Sequence, residues 1–333
     1  MLMQIFNYIM LIYRHLIFSI IFITLSSCNS FKGTTISEDS LEILIVSREN
    51  IDNKNLEKFK RHFFLPQVTI PETEMTGDLY NIFDLTFIDF NDFTEYFHGY
   101  QNIVFLSPGS SYSITEKADK WHPSQVVLNF MIDTLSNEKD IQIMSKKLIN
   151  EIKEKEVSRR IKKYKNGEKA EIRQFLKKNF DLSISLSNNF SIVDTINNFL
   201  DLRRDFDKGT YRLIISKISG NYITRNEIIN EVNEISKNNI YSDTEGAFAN
   251  IDDINANVYI SKLTDENNIF EIRGLWKMYN DPAPMGGPIL SYVINDKKYR
   301  HAVIFIFYIF APGEDKADHL IEAEAIGKSL FTN

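Results

Sequence analysis

Residues 270–292 read FEIRGLWKMYNDPAPMGGPILSY, and residues 301–331 read HAVIFIFYIFAPGEDKADHLIEAEAIGKSLF. Over 270–278 the residue character alternates. Phe270, Ile272, Gly274, Trp276 and Met278 fall on one side, and Glu271, Arg273 and Lys277 on the other, which is the period of a strand. The alternation makes Trp276 an inward anchor. It places Glu271 and Arg273 on the outer face, as an exposed ion pair of little worth. Residues 279–288 hold three prolines and two glycines. These break ladder and helix alike, so the segment reads as a loop, with a strand resuming over 289–294. Residues 303–310 are apolar at every position, the mark of a strand covered on both faces, and are too few to cross a membrane. Pro312 and Gly313 then punctuate the chain. A closing helix follows, with Glu314 and Asp315 expected in its first turn, where the helix dipole favours anions. Leu320, Ala323, Gly327, Leu330 and Phe331 form its apolar stripe. The small residues Ala323, Ala325 and Gly327 allow a close approach to the sheet.

The chain has 333 residues, 43% of them apolar, which suffices for two cores or one large one. Its formal net charge of -7 argues against a general nucleic-acid binder. The single cysteine rules out an internal disulfide. That cysteine has a telling position. Residues 16–25, LIFSIIFITL, form a short apolar run behind Arg14 and His15, and LSSC follows at 25–28. This is a lipobox, in which small residues fit a signal peptidase and the cysteine sulfur takes a diacylglycerol. The expectation is a lipoprotein signal peptide over 1–27, with Cys28 lipidated as the mature amino terminus. A plain signal peptide or an uncleaved span are the alternatives. Residues 28–40 are small and polar and read as a tether.

Residues 41–135 alternate strand and helix signals, so they read as an N-terminal α/β domain. Strands are expected at 41–47, 82–90, 101–107 and 125–132. Leu56, Phe59 and Phe63 mark one helix, and Asn91 caps a short second one that turns Phe93 and Phe97 inward. SPGSSYS at 107–113 reads as a loop. Residues 136–180 form a helical connection. Ser136 or Asn137 caps its long first helix, which is apolar at Ile141, Met144, Leu148, Ile152 and Ile161. The same helix is basic at Lys146, Lys147, Lys153, Lys155, Arg159, Arg160, Lys162 and Lys163. It reads as a solvated face with pairs such as Glu151–Lys155 and Glu156–Arg160, or as a patch for anionic lipid headgroups.

Residues 181–333 give strand signals near 190–193, 199–202, 211–218 and 258–263, besides those already described. Thr224 and Glu227 form a capping box that opens a helix with Ile228, Val232 and Ile235 inward. Three strands, a helix, four strands and a helix, mostly with short connections, imply an antiparallel sheet flanked by helices. The fold class is thus α+β with an α/β first half, and its second half is like the Mog1/PsbP type of α-β-α sandwich. The lipobox, EIRGLW at 271–276, MGGP at 285–288 and Ala311–Pro312 together resemble an uncharacterised family of bacterial lipoproteins, domain of unknown function 4837. The resemblance spans the mature chain, loosely before Tyr211, and departs at NDPAP. It implies an envelope location and a two-part fold, and carries over no catalytic residue.

No nucleotide-binding, zinc-protease, calcium or hydrolase motif is present. SNEK at 136–139 matches SxxK without its companion motifs and reads as a helix cap. The six histidines show no metal-ligand spacing, and neither cofactor nor metal is expected. The best non-structural candidate is the loop carrying Tyr279, Asp281, Met285, Gly286 and Gly287, which offers aromatic, acidic and backbone-donor contacts. For Gly286–Gly287 itself the favoured reading is a sharp turn between two strands. The expected protein is a non-catalytic envelope lipoprotein, anchored to the membrane through Cys28, with the outer membrane facing the periplasm as its expected place. It would bind an envelope protein or a small ligand, or assist assembly or transport. The alternative is a hydrolase-like envelope enzyme built from scattered residues such as Glu271, Arg273, Asp281 and His301.

Overall fold

The computed structural model describes residues 41–48, 51, 53–63, 82–117, 120–133, 137–196, 198–220, 222, 224–253, 258–264, 268–283, 285–296 and 301–330. The leader, Cys28, the tether and Ser136 lie outside them. In the first half, β1 (Glu42–Ser47), β2 (Asp84–Asp89), β3 (Asn102–Gly109) and β5 (Val126–Asp133) form a parallel sheet. β4 (Ser113–Glu116) adds antiparallel at one edge, giving the order β2-β1-β3-β5-β4. The segment expected as a loop, 107–113, therefore supplies the end of β3 and the first residue of β4. Helices α1 (Asn53–Phe63) and α2 (Glu138–Tyr164) lie on the face that buries Ile43, Ile45, Val104, Leu106 and Phe130. On the other face Leu44, Val46, Ile103, Phe105 and Val127 are covered by Phe93, Phe97, Tyr100 and Trp121 from irregular segments. No α-helix follows Asn91. Two 3-10 turns stand there, Phe90–Asp92 and Glu95–Gly99, and the cap is Asp89, whose carboxylate accepts from the Asn91 amide at 2.9 Å.

The second half is one antiparallel sheet of eight strands. Its strands are β6 (Ser191–Ile196), β7 (Phe199–Phe206), β8 (Gly209–Ser219), β9 (Phe248–Ile251), β10 (Tyr259–Thr264), β11 (Ile269–Tyr279), β12 (Gly286–Asp296) and β13 (His301–Phe310). Seven run in the order β10-β11-β12-β13-β8-β7-β6, and β9 pairs the far end of β11 beside β10. β13 is central, as its unbroken apolar run requires. Phe305, Phe307 and Ile309 face helices α3 (Ala170–Phe180) and α5 (Ala317–Lys328), and Ile304, Ile306 and Tyr308 face α4 (Arg225–Asn239). The result is an α-β-α sandwich. α4 opens with the expected capping box, both of whose hydrogen bonds are present.

Three expectations need correction. β9 is a fifth strand after α4, too short at four residues to show a period. β12 begins at Gly286, so the glycine pair lies within the ladder, opposite Lys277 and Trp276. α5 begins at Ala317, so Glu314 and Asp315 precede it. Asp315 accepts from the Ala317 amide at 2.9 Å, and the acid of the first turn is Asp318.

α5 joins the two halves. Ala317, Ile321 and Ala325 are buried in the first core, and Leu320, Ala323 and Ile326 in the second. Gly327 rests on the Tyr292 ring so closely that a Cβ would lie 2.0 Å from Tyr292 Cε2. α2 packs beside it. Its Ile141, Leu148 and Ile152 are buried and its Met144 and Ile161 half-buried, all in the first core. Of the pairs expected along α2, Glu156–Arg160 forms at 2.7 Å, while Lys155 turns to Glu116 at 2.5 Å. The basic face is thus not wholly solvated, because Arg159 and Arg160 are largely buried.

Candidate functional site

The hairpin between β11 and β12 is held against the segment that follows α4. Tyr279 stacks on Phe248 with ring centroids 5.7 Å apart, and the Lys277 ammonium lies 4.8 Å above the Tyr279 ring. Lys277 also pairs with Asp252 at 2.8 Å. Asn280 takes positive φ and donates to the Gly246 carbonyl at 3.2 Å. Asp281 is the keystone of the turn. One of its oxygens accepts from the Ser242 hydroxyl and the other from the Ala283 amide at 2.8 Å. These bonds hold its carboxyl below the usual carboxylate range. Met285 returns its carbonyl to the Met278 amide at 2.8 Å and packs, half-buried, on the core between the sheet and α4. Pro282 and Ala283 stand exposed at the tip.

Gly286 and Gly287 serve close approach. A Cβ at Gly287 would lie 2.1 Å from the Ile309 carbonyl oxygen, and one at Gly286 would lie 2.6 Å from the Trp276 carbonyl oxygen. The Ile309 carbonyl accepts from the Trp276 indole at 3.2 Å. Trp276 is buried as expected, 6% exposed.

Glu271 and Arg273 are not an exposed pair. Both are buried, at 6% exposure each. Their face of β11 is covered by α5, which alternation along one strand cannot reveal. Arg273 Nε and Nη2 donate to Glu271 at 2.6 and 3.0 Å, and Nη2 also donates to Glu324 at 2.8 Å. The Tyr292 hydroxyl donates to Glu271 at 2.8 Å. Glu324 further meets Lys153 of α2 at 3.0 Å and Lys328 at 2.8 Å, and Lys328 reaches Glu154 at 2.7 Å. Burial alone would raise the Glu324 pKa, but Arg273, Lys153 and Lys328 hold it well below the usual range. Burial opposes the charge of Arg273 too, and the two glutamates restore it. Three carboxylates face three cations, and a cleft of about 410 Å³ opens beside them, walled by Tyr259 and Ser261 of β10. The sequence marks Lys153 only as part of a basic helix face and Lys328 only as a cation near a helix end, and it does not single out Glu324 or Tyr292. The available signal was a glutamate between alanines, in EAEA, on a helix apolar on both sides.

The four residues of the enzyme alternative do not converge. Asp281 lies beyond the Gly286 end of β12, and His301 pairs with Asp296 at the other end. At about 3.4 Å per residue the two ends are roughly 30 Å apart. The other histidines are scattered. His98 stacks on Trp121 at 4.2 Å, His319 stacks on Phe206 at 4.6 Å, and His62 approaches Glu138 at 3.6 Å. Among the described residues no group of three or more metal-ligating side chains occurs, and no helix is long and apolar enough to cross a membrane.

A search of curated proteins finds no match. Among solved structures, the Ran-binding protein Mog1p of Saccharomyces cerevisiae is similar at 10% identity, over 44% of this chain and 85% of its own, with a TM-score of 0.27. So slight a likeness says nothing of function. A family model matches residues 169–329, the span of α3, the eight-stranded sheet and α5. The family is described as a domain of unknown function, DUF4837, and the chain is similar to it over that span.

Proposed function

We propose that the protein is a non-catalytic lipoprotein of the bacterial cell envelope, anchored through a lipid on Cys28 and facing the periplasm from the outer membrane. It binds an envelope protein or a small ligand through the hairpin at 279–287. The observation that carries this reading is the pinning of that hairpin. Its inward groups are fixed to Phe248, Ser242 and Gly246, while Pro282 and Ala283 are left outermost. A loop held in one shape loses little freedom on binding. The leader and lipobox support the anchor. Glu271 and Arg273 of the enzyme alternative are paired with each other, and Arg273 with Glu324 of α5.

The test is site-specific crosslinking in cells from position 282, in the parent and in an Ala283→Arg variant that puts bulk at the tip without touching a buried group. A discrete crosslinked partner that disappears in the variant, at unchanged thermal stability, is the expected result. Identical crosslinks in both proteins would remove the hairpin from the interface.

A further inference from the structure

A second cleft, of about 620 Å³, lies where the carboxyl end of α2 meets the starts of β3 and β5 and the first turn of α5. It is remote from the hairpin and independent of the reading above. Four cations line it, Arg159, Arg160, Lys162 and Lys163, against two carboxylates, Glu156 and Asp318. The local excess is two positive charges in a chain whose net charge is -7.

The two carboxylates are already committed. Arg160 donates from Nε to Glu156 at 2.7 Å and from Nη2 to Asp318 at 2.5 Å, with Nη1 on the Asp318 carbonyl at 3.0 Å. Arg159 must share Glu156, which lies 3.1 Å from its Nη1 without a hydrogen bond, and it spends Nη2 on Asn102 at 2.8 Å. Burial and the neighbouring Arg160 depress the pKa of Arg159 despite Glu156, so its charge is under-compensated. Lys162 and Lys163 are exposed, and neither has an ion pair among the described residues. They complement the dipole at the end of α2, but that role does not account for two further arginines drawn into the same cleft.

We propose that this cleft binds a phosphate group, contacted by Lys162, Lys163 and Arg159, with Arg160 and its two carboxylates as the rigid floor. A phosphate monoester carries about -1.5 to -2 at neutral pH, which matches the local excess, whereas a carboxylate would leave half of it unmet. Tyr164, whose pKa burial raises, is a phenol at neutral pH and lines the same cleft as a neutral hydroxyl group. The cleft lies at the amino ends of the parallel strands. Open α/β sheets usually take ligands at the carboxyl ends, so here the cationic end of α2 would determine the site. A free phosphate compound and a phospholipid headgroup share this chemistry.

The experiment uses the full chain purified in detergent, titrated calorimetrically at fixed ionic strength. The probes are inorganic phosphate, dihexanoyl phosphatidic acid and dihexanoyl phosphatidylcholine. The variants are K162Q/K163Q, and K146Q/K147Q as a control of equal charge loss on exposed positions of the same helix outside this cleft. Saturable binding of phosphate or phosphatidic acid is expected, about tenfold or more weaker in K162Q/K163Q and unchanged in K146Q/K147Q. Binding of phosphatidic acid without binding of phosphate would support the proposal with a lipid headgroup as the source. Binding of both would support it with the phosphate group alone sufficient. No saturable binding of either probe, equal weakening in both variants, or phosphatidylcholine bound as well as phosphatidic acid would overturn it.

Discussion

Glu324→Gln removes one buried carboxylate and leaves its shape. In the native protein that carboxylate meets Arg273 at 2.8 Å, Lys153 at 3.0 Å and Lys328 at 2.8 Å, with its side chain fully buried. Breaking a buried ion pair from one side costs about 3–5 kcal/mol, because the partner charges stay behind uncompensated. Here the structure points to the lower end, about 3 kcal/mol. Arg273 keeps both bonds to Glu271, and the Lys153 and Lys328 side chains, 17% and 19% exposed, can turn to water. Glu271→Gln should cost more, about 4–5 kcal/mol, since it strips Arg273 of its paired acceptor and leaves the Tyr292 hydroxyl on a neutral amide. The two variants are compared with the parent by urea unfolding across pH. The folded Glu324 pKa is depressed from 4.5, so the unfolded chain binds the proton more readily, and stability from this group rises with pH. The gap between parent and Glu324→Gln should be constant above about pH 5 and narrow as the pH falls below 4.5 towards the folded value. A gap under about 1 kcal/mol, or one that widens on acidification, would refute the reasoning.

Trp276→Ala deletes a buried aromatic whose indole also donates to Ile309, and should cost about 3–5 kcal/mol in the same assay. Gly327→Ala places a Cβ on the Tyr292 ring and should destabilise by about 1–3 kcal/mol from overpacking, seen as a lower melting temperature. Cys28→Ala should abolish metabolic labelling by a fatty-acid analogue, and label that survives the substitution would exclude lipidation at that residue.

Much of the fold was legible where one residue pattern has one physical outcome. Residues 303–310 have no polar side to show water, so they had to be central, and β13 is. Thr224 and Glu227 stand at the spacing of a capping box, and their bonds form as local geometry dictates. The reading failed where a distant element reverses the local signal. Glu271 and Arg273 alternate with apolar neighbours and so mimic a wet face, but α5, some fifty residues on, covers them and supplies Glu324. Gly286–Gly287 mimics a turn, although β11 and the Ile309 carbonyl lie where two side chains would otherwise stand. The hairpin at 279–285 was found as a loop. Its attachment to Ser242, Gly246 and Phe248 could not be read, because those residues belong to a segment without periodicity.

α5 explains why these errors gather in one region. A helix on the outside of a sheet has one apolar stripe, yet this one is buried nearly all round: Leu320, Ala323 and Ile326 face the second core, and Ala317, Ile321 and Ala325 the first. Its two inward glutamates then have no route to water. Glu322 meets Arg204 of β7 at 2.5 and 2.7 Å, and Glu324 meets Arg273 of β11 and Lys153 of α2. Each carboxylate ties the helix to a different element. Between them they fix its rotation, because turning it would bury a charge without a partner. The segment matched by the family model ends in this helix but does not contain α2 or the first sheet. Half the surface of its last element is therefore completed by a part of the chain outside the match. Fully burying Ile321 alone is worth about 1.5–3 kcal/mol. That contribution, together with the Lys153–Glu324 and Arg160–Asp318 pairs, couples the stability of the two halves.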